Sequence, residues 1–94
     1  MAILGTFTQQ PNERLDYDIT FDEFLAAGDT LVSASTTSDV GITVDLPIID
    51  GTGRVVKQWI SGGTTGTTYK IQIRATSSSG VIKEIEFKIK VREY

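Results

Sequence analysis

The strongest constraint on this chain is a pair of strictly alternating runs near its C-terminus, between Thr67 and Val91, joined by Ser77, Ser78, Ser79 and Gly80. In the first run Tyr69, Ile71, Ile73 and Ala75 share one parity, while Lys70, Gln72, Arg74 and Thr76 share the other. Successive side chains of a strand point to opposite faces, so this run predicts a half-buried strand. The second run repeats the pattern, with Ile85, Phe87, Ile89 and Val91 inward and Glu84, Glu86, Lys88, Lys90 and Arg92 outward. Together they predict a β-hairpin. Both apolar sets are odd-numbered, so the numbers of facing residues must sum to an even total. A sum of 156 sets Lys70 opposite Glu86, whereas 158 sets Arg74 opposite Glu84 but also Lys70 opposite Lys88. Like charges directly opposite are destabilising, which favours 156. A lone hairpin is marginal in water, so other strands must cover its Tyr/Ile/Phe face.

The remaining composition agrees with an all-β module. Ninety-four residues suffice for one core, and a 39% hydrophobic content with nine glycines and β-branched residues in short runs suits a small sandwich. No apolar run reaches the length of a membrane span, and the start of the chain lacks the basic n-region of a signal peptide, so neither a membrane partner nor a leader is expected. Cysteine and histidine are both absent. That removes disulfides, Cys-His and Ser-His-Asp nucleophile systems and the usual zinc ligands, so no enzyme, cofactor or metal is expected. Residues 1–52 carry nine acids and one base, and residues 53–94 eight bases and three acids, within a formal net charge of −3. The halves either neutralise each other inside one fold or form an acidic and a basic pole that meet between subunits. Bases that alternate with acids do not predict nucleic-acid binding.

Along the chain, residues 1–14 read as an N-terminal arm ahead of a domain spanning 15–94. The arm is either a frayed terminus or short edge strand, or a segment that orders on a neighbouring subunit with Ile3, Leu4 and Phe7 as anchors. Leu15, Tyr17 and Ile19 alternate with Asp16 and Asp18, predicting the first full strand. Thr20 and Glu23 have capping-box spacing, and Phe21, Phe24 and Leu25 the spacing of a buried stripe ending at Gly28, so a helix of about two turns is predicted. Residues 31–36 form a strand whose inward side is ambiguous. Residues 40–44 form a short one, Pro47 marks an interruption, and Ile48 and Ile49 resume at an edge. Residues 54–60 predict a strand buried on both faces, with Trp59 as either the central core aromatic, the favoured reading, or an anchor on a partner. The glycine-rich run 61–67 leads into a strand and lacks the Lys-Ser/Thr ending of a phosphate-binding loop, so it reads as turn geometry. Asp16 and Asp18 share a strand face and supply two oxygens of a calcium site or a hydrolase pair, but no third ligand or cleft accompanies them. A glycan-binding face would draw on Tyr17, Trp59 and Tyr94.

These residues also carry a resemblance. Leu15-Asp16-Tyr17, Leu25-x-x-Gly28-Asp29-Thr30-Leu31, Ser35, Gly41-Ile42-Thr43-Val44 and above all Trp59-Ile60-Ser61-Gly62-Gly63-Thr64-Thr65-Gly66-Thr67-Thr68-Tyr69 resemble the small tailed-phage virion proteins known as fiber-tail adaptor or Ig-like phage structural proteins. The resemblance spans residues 15–92 and leaves the arm outside. It implies an immunoglobulin-like β-sandwich of about seven strands with one short helix, no catalysis and a location in the virion. It further implies a connector or adaptor of the tail or fiber attachment region that contacts tail, fiber, portal or capsid proteins, as a homo-oligomer in the particle. A capsid decoration protein of the same fold is the alternative. Asp16, Tyr17, Gly28, Asp29, Trp59, Gly62, Gly63, Gly66 and Tyr69 are the positions it implies fix turns and core.

Overall fold

The computed structural model describes residues 2–93, with side chains from Gly5 onward. Eight strands and one short helical turn form two facing sheets: β1 Ala2–Gln9, β2 Arg14–Thr20, β3 Leu31–Ser38, β4 Ile42–Val44, β5 Ile48–Ile49, β6 Val55–Gly62, β7 Thr68–Ser77 and β8 Ile82–Val91. Sheet A has the order β1-β8-β7-β3, and sheet B the order β2-β6-β4 with β5 also on β6. The result is an all-β sandwich, as the alternating pattern requires. Its core lies between the sheets, where Ile71, Ile73, Ile85, Phe87 and Ile89 of sheet A meet Val56 and Ile60 of sheet B, with Phe21 closing one end.

The hairpin of β7 and β8 is present with the predicted inward residues, but its register sum is 158 rather than 156. Arg74 therefore faces Glu84, with guanidinium nitrogens 3.0 and 2.6 Å from one carboxylate oxygen. Lys70 faces Lys88. The register follows from the turn: the Ser77 N–H donates to the Val81 carbonyl at 2.8 Å, and the serines after it are tied to Asp29 across the molecule. Those local bonds outweigh one like-charge pair, both of whose lysines are exposed.

Two further expectations are corrected, and of the readings open for the arm the edge strand is the one present: β1 pairs in parallel with β8 and forms one edge of sheet A. A bulge between Ile3 and Thr6, with Gly5 at φ +123°, interrupts its alternation and hides the strand period from the sequence. The predicted two-turn helix is a single 3-10 turn, Asp22–Phe24, in which Thr20 Oγ1 accepts from the Asp22 N–H at 3.2 Å and no capping box forms. Phe21, one residue ahead, is the buried plug. Finally, β6 buries only the face of Val56, Gln58 and Ile60, which leaves Trp59 half-buried on the outer face of sheet B rather than in the core. The ambiguity of β3 also resolves, since a bulge between Leu31 and Ser33 turns Leu31 inward and leaves Val32 exposed.

Two buried glutamines tie the sheets at opposite flanks. Gln9 of β1 donates from Nε2 to the Ile60 carbonyl at 2.8 Å and the Glu13 carbonyl at 2.9 Å, and accepts the Tyr17 hydroxyl at 2.8 Å. Gln58 of β6 accepts the Thr36 hydroxyl and donates to the Asp45 and Trp59 carbonyls. Every described buried side-chain polar atom has a partner, so these groups fix sheet packing without the cost of an orphaned dipole.

Candidate partner-binding surface

The outer face of sheet B is built by the β2–β6 register. Arg14 lies opposite Ser61, Asp16 opposite Trp59 and Asp18 opposite Lys57, while Ile48 of β5 faces Lys57 from the other side. Trp59 is thus the centre of this face. The Arg14 guanidinium sits 4.3 Å from its ring centroid and also pairs with Asp45. Lys57 Nζ is 2.9 Å from Asp16 and 3.6 Å from Asp18. The Lys57 hydrogen bond holds the Asp16 carboxyl below the usual carboxylate range, and Asp16 in turn raises Lys57. Both carboxylates of the suggested calcium or hydrolase pair are therefore engaged by a lysine. Among the described residues no group of three or more His, Cys, Asp or Glu is placed to hold a metal.

A half-buried tryptophan under an arginine, with exposed Ile48 on the diagonal and Leu46 on the excursion between β4 and β5, is a surface suited to protein contact. Trp and Arg are the side chains that dominate binding energy when a partner covers them, and an aromatic face already carrying a cation presents both apolar area and directed donors. Of the aromatics suggested for a glycan face, Tyr17 points inward to Gln9 and Tyr94 lies outside the described residues, which leaves Trp59 alone. Arg14 and Lys57 were not singled out in the sequence. Their relation to Trp59 exists only once the pairing of β2 with β6, about forty residues apart, is known.

The other predicted positions are architectural. Asp29 accepts hydrogen bonds from the Ser78 hydroxyl at 2.6 Å, the Ser79 hydroxyl at 2.7 Å, the Ser79 N–H at 3.2 Å and the Thr30 N–H at 3.0 Å. These donors, Ser78 foremost, hold its carboxyl far below the usual range, and they bind the β2–β3 connection to the tip of the hairpin. The glycine-rich run encloses Tyr69. The Thr64 N–H donates to the Tyr69 hydroxyl at 2.9 Å, and the Thr64 side chain first, with this N–H beside it, lowers the phenol's pKa. Gly63, at φ +94°, lies where a Cβ would stand 2.6 Å from Val91 Cγ2 and 3.1 Å from the Tyr69 ring, and a Cβ on Gly41 would meet the ring's other edge at 3.2 Å. Gly28, Gly62 and Gly66 also have positive φ, and the Gly66 N–H donates to the Val91 carbonyl. The long motif is thus a cradle for one tyrosine at the β6–β7 corner.

Of the three suggested anchors, Phe7 is 41% exposed and packs 5.5 Å from Tyr17 and 5.9 Å from Phe87, at the flank between β1 and β2. The side chains of Ile3 and Leu4 lie outside the described residues. No helix among the described residues is long and apolar enough to cross a membrane.

No curated protein matches the chain. A family model, described as podophage GP4 fiber-tail adaptor protein gp77, matches residues 9–90. That span contains the last residue of β1, β2 to β7 whole, β8 up to Lys90, the glycine-rich run with Tyr69 and the Trp59 face. By this match the chain belongs to the podophage fiber-tail adaptor family.

Proposed function

We propose that the protein is a non-catalytic structural subunit of a phage tail, joining fiber to tail through protein–protein contacts and present in several symmetric copies in the virion. The observation that carries this reading is the family match over residues 9–90. Within that frame the Trp59 face is the first contact surface, because it offers an aromatic centre, a stacked arginine and exposed Ile48 on the diagonal of a rigid sheet. An immunoglobulin-like connectivity belongs to the same proposal. The orders β2-β6-β4 and β8-β7-β3 correspond to B-E-D and G-F-C of that sandwich. A tyrosine opening β7, hydrogen-bonded to backbone five residues upstream, further matches its tyrosine corner.

A Trp59→Ala variant tests the surface. It is expected to keep its melting temperature within a few degrees while failing to enter particles assembled in infected cells, measured by quantitative mass spectrometry of purified virions. Incorporation at the wild-type copy number would remove this face from the proposal.

A further inference from the structure

The four sheet edges are not equally protected. Edge strands expose unpaired main-chain donors and acceptors, and proteins normally blunt them with charge, proline, bulges or cover. Strand β2 carries Arg14, Asp16 and Asp18, β4 and β5 are interrupted at Pro47, and β3 is bulged and packs beside β4 and β5. Strand β1, Ala-Ile-Leu-Gly-Thr-Phe-Thr-Gln, has no charged residue and no proline, and its bulge affects only its first half. From Thr6 to Gln9 it runs in unbroken register with β8, and no described strand occupies its other side.

The face beside that edge is basic. Thr6 lies in register with Lys88 and Thr8 with Lys90, while Lys70 stands opposite Lys88 on the other side. None of the three lysines is in an ion pair among the described residues. A like-charge facing pair is a local fault in the sheet, and such faults are characteristic of positions kept for another purpose. A strand added beside β1 would lie two strand spacings from β8, about 9–10 Å. The long stems of Lys88 and Lys90 can lean over the short Thr6 and Thr8 to reach it.

We propose that β1 is a docking edge for an extended acidic segment of another protein, which adds to sheet A as a fifth strand and lays its carboxylates over Lys88 and Lys90. The proposal takes from the adaptor reading only that the partner is a protein. Charge argues for this occupant over a second copy, since pairing two β1 edges would set two lysine rows about 14 Å apart with no carboxylate between them to satisfy either. It also argues against nucleic acid, because Glu84 and Glu86 share the face and the net charge is −3. Strand addition supplies affinity through main-chain hydrogen bonds, and the lysines supply the choice of partner.

The test uses the isolated full chain and three synthetic heptapeptides: acetyl-Thr-Glu-Val-Glu-Val-Glu-Thr-amide, the same peptide with lysine for glutamate, and the acidic peptide N-methylated at alternate residues. Titration followed by amide NMR and hydrogen exchange should show the acidic peptide binding at least roughly tenfold tighter than the lysine peptide. The outward amides of Thr6–Gln9 should gain protection, the N-methylated peptide should not bind, and the preference should reverse in Lys88→Glu/Lys90→Glu. Absence of binding, equal binding of the lysine or N-methylated peptide, shifts mapped away from β1, or tighter binding of single-stranded DNA would each overturn it. Because the isolated chain is used, such a failure leaves the location in the tail untouched, and a failure to find the chain in the tail leaves the edge result standing.

Discussion

At Gly63, one hydrogen atom in place of a side chain decides whether the β6–β7 corner can close. A Cβ there would overlap Val91 and press on the Tyr69 ring, in a backbone conformation that L-residues avoid. Gly63→Ala should therefore cost about 2–4 kcal/mol, combining backbone strain with overpacking, as read from urea unfolding. Asp29 is the second residue on which a connection depends. Its carboxyl pKa is depressed in the fold by the Ser78 and Ser79 donors, so the stability it contributes is fully present above the unfolded value near 4 and is lost as pH falls through that range toward the folded one. Wild type should lose melting temperature steeply on acidification below about pH 4, and Asp29→Asn, less stable at pH 7, should show a shallower acid limb. Equal slopes would mean the serine cluster does not hold the carboxylate. The Gly28-Asp29-Thr30 and Gly62-Gly63 motifs stood out in the sequence through the family resemblance. Their partners did not, because Ser78 and Val91 reach them only through the folded sheets.

Among the elements, β7 and β8 were legible from alternation alone, whereas their register was not. Facing charges alone favour a sum of 156, whereas the turn bonds at Ser77 and the tie to Asp29 belong to 158 and depend on contacts distant in sequence. Lys70→Gln should consequently stabilise the isolated protein by about 0.2–1 kcal/mol in low-salt buffer, with the gain disappearing in molar salt. A salt-independent change would locate the effect elsewhere. Strand β1 was hidden by its own bulge and by Gln9, a polar residue in an inward position. Gln9 serves the joint between sheets: Gln9→Leu would leave the Ile60 and Glu13 carbonyls and the Tyr17 hydroxyl without it, at a cost of about 2–3 kcal/mol. Adding Tyr17→Phe should recover part of that loss, since it removes one of the three deprived groups, and a double-mutant cycle from denaturant melts would read the coupling. The 3-10 turn shows the opposite failure, in which a local cap signal was overridden once Phe21 was drawn into the core.

For the whole molecule, the acidic first half and basic second half of the chain are partly neutralised within the sandwich, where Lys57 pairs with Asp16 and Asp18, and Arg54 pairs with Asp22. What remains is a body of 43 × 24 × 19 Å whose two sheets present different chemistry: an aromatic, ion-paired face on sheet B and a lysine-bearing face with an open edge on sheet A. The all-β architecture and the family were readable from alternation and from the glycine-rich run before Tyr69. The outward position of Trp59 was not, because the set of Val55 and Trp59 and the set of Val56 and Ile60 are both apolar, and the register with Asp16 beneath Arg14 exists only in the fold. A connector needs distinct surfaces for distinct neighbours, and the Trp59 face and the β1 edge proposed above lie on different sheets. The central claim is that this chain links fiber to tail, and cryo-electron microscopy of purified virions tests it most directly. The account predicts density for this sandwich at the junction of tail and fiber, with the Trp59 face covered by a neighbouring protein. Density for it distributed over the capsid shell, or none in the particle, would contradict the account.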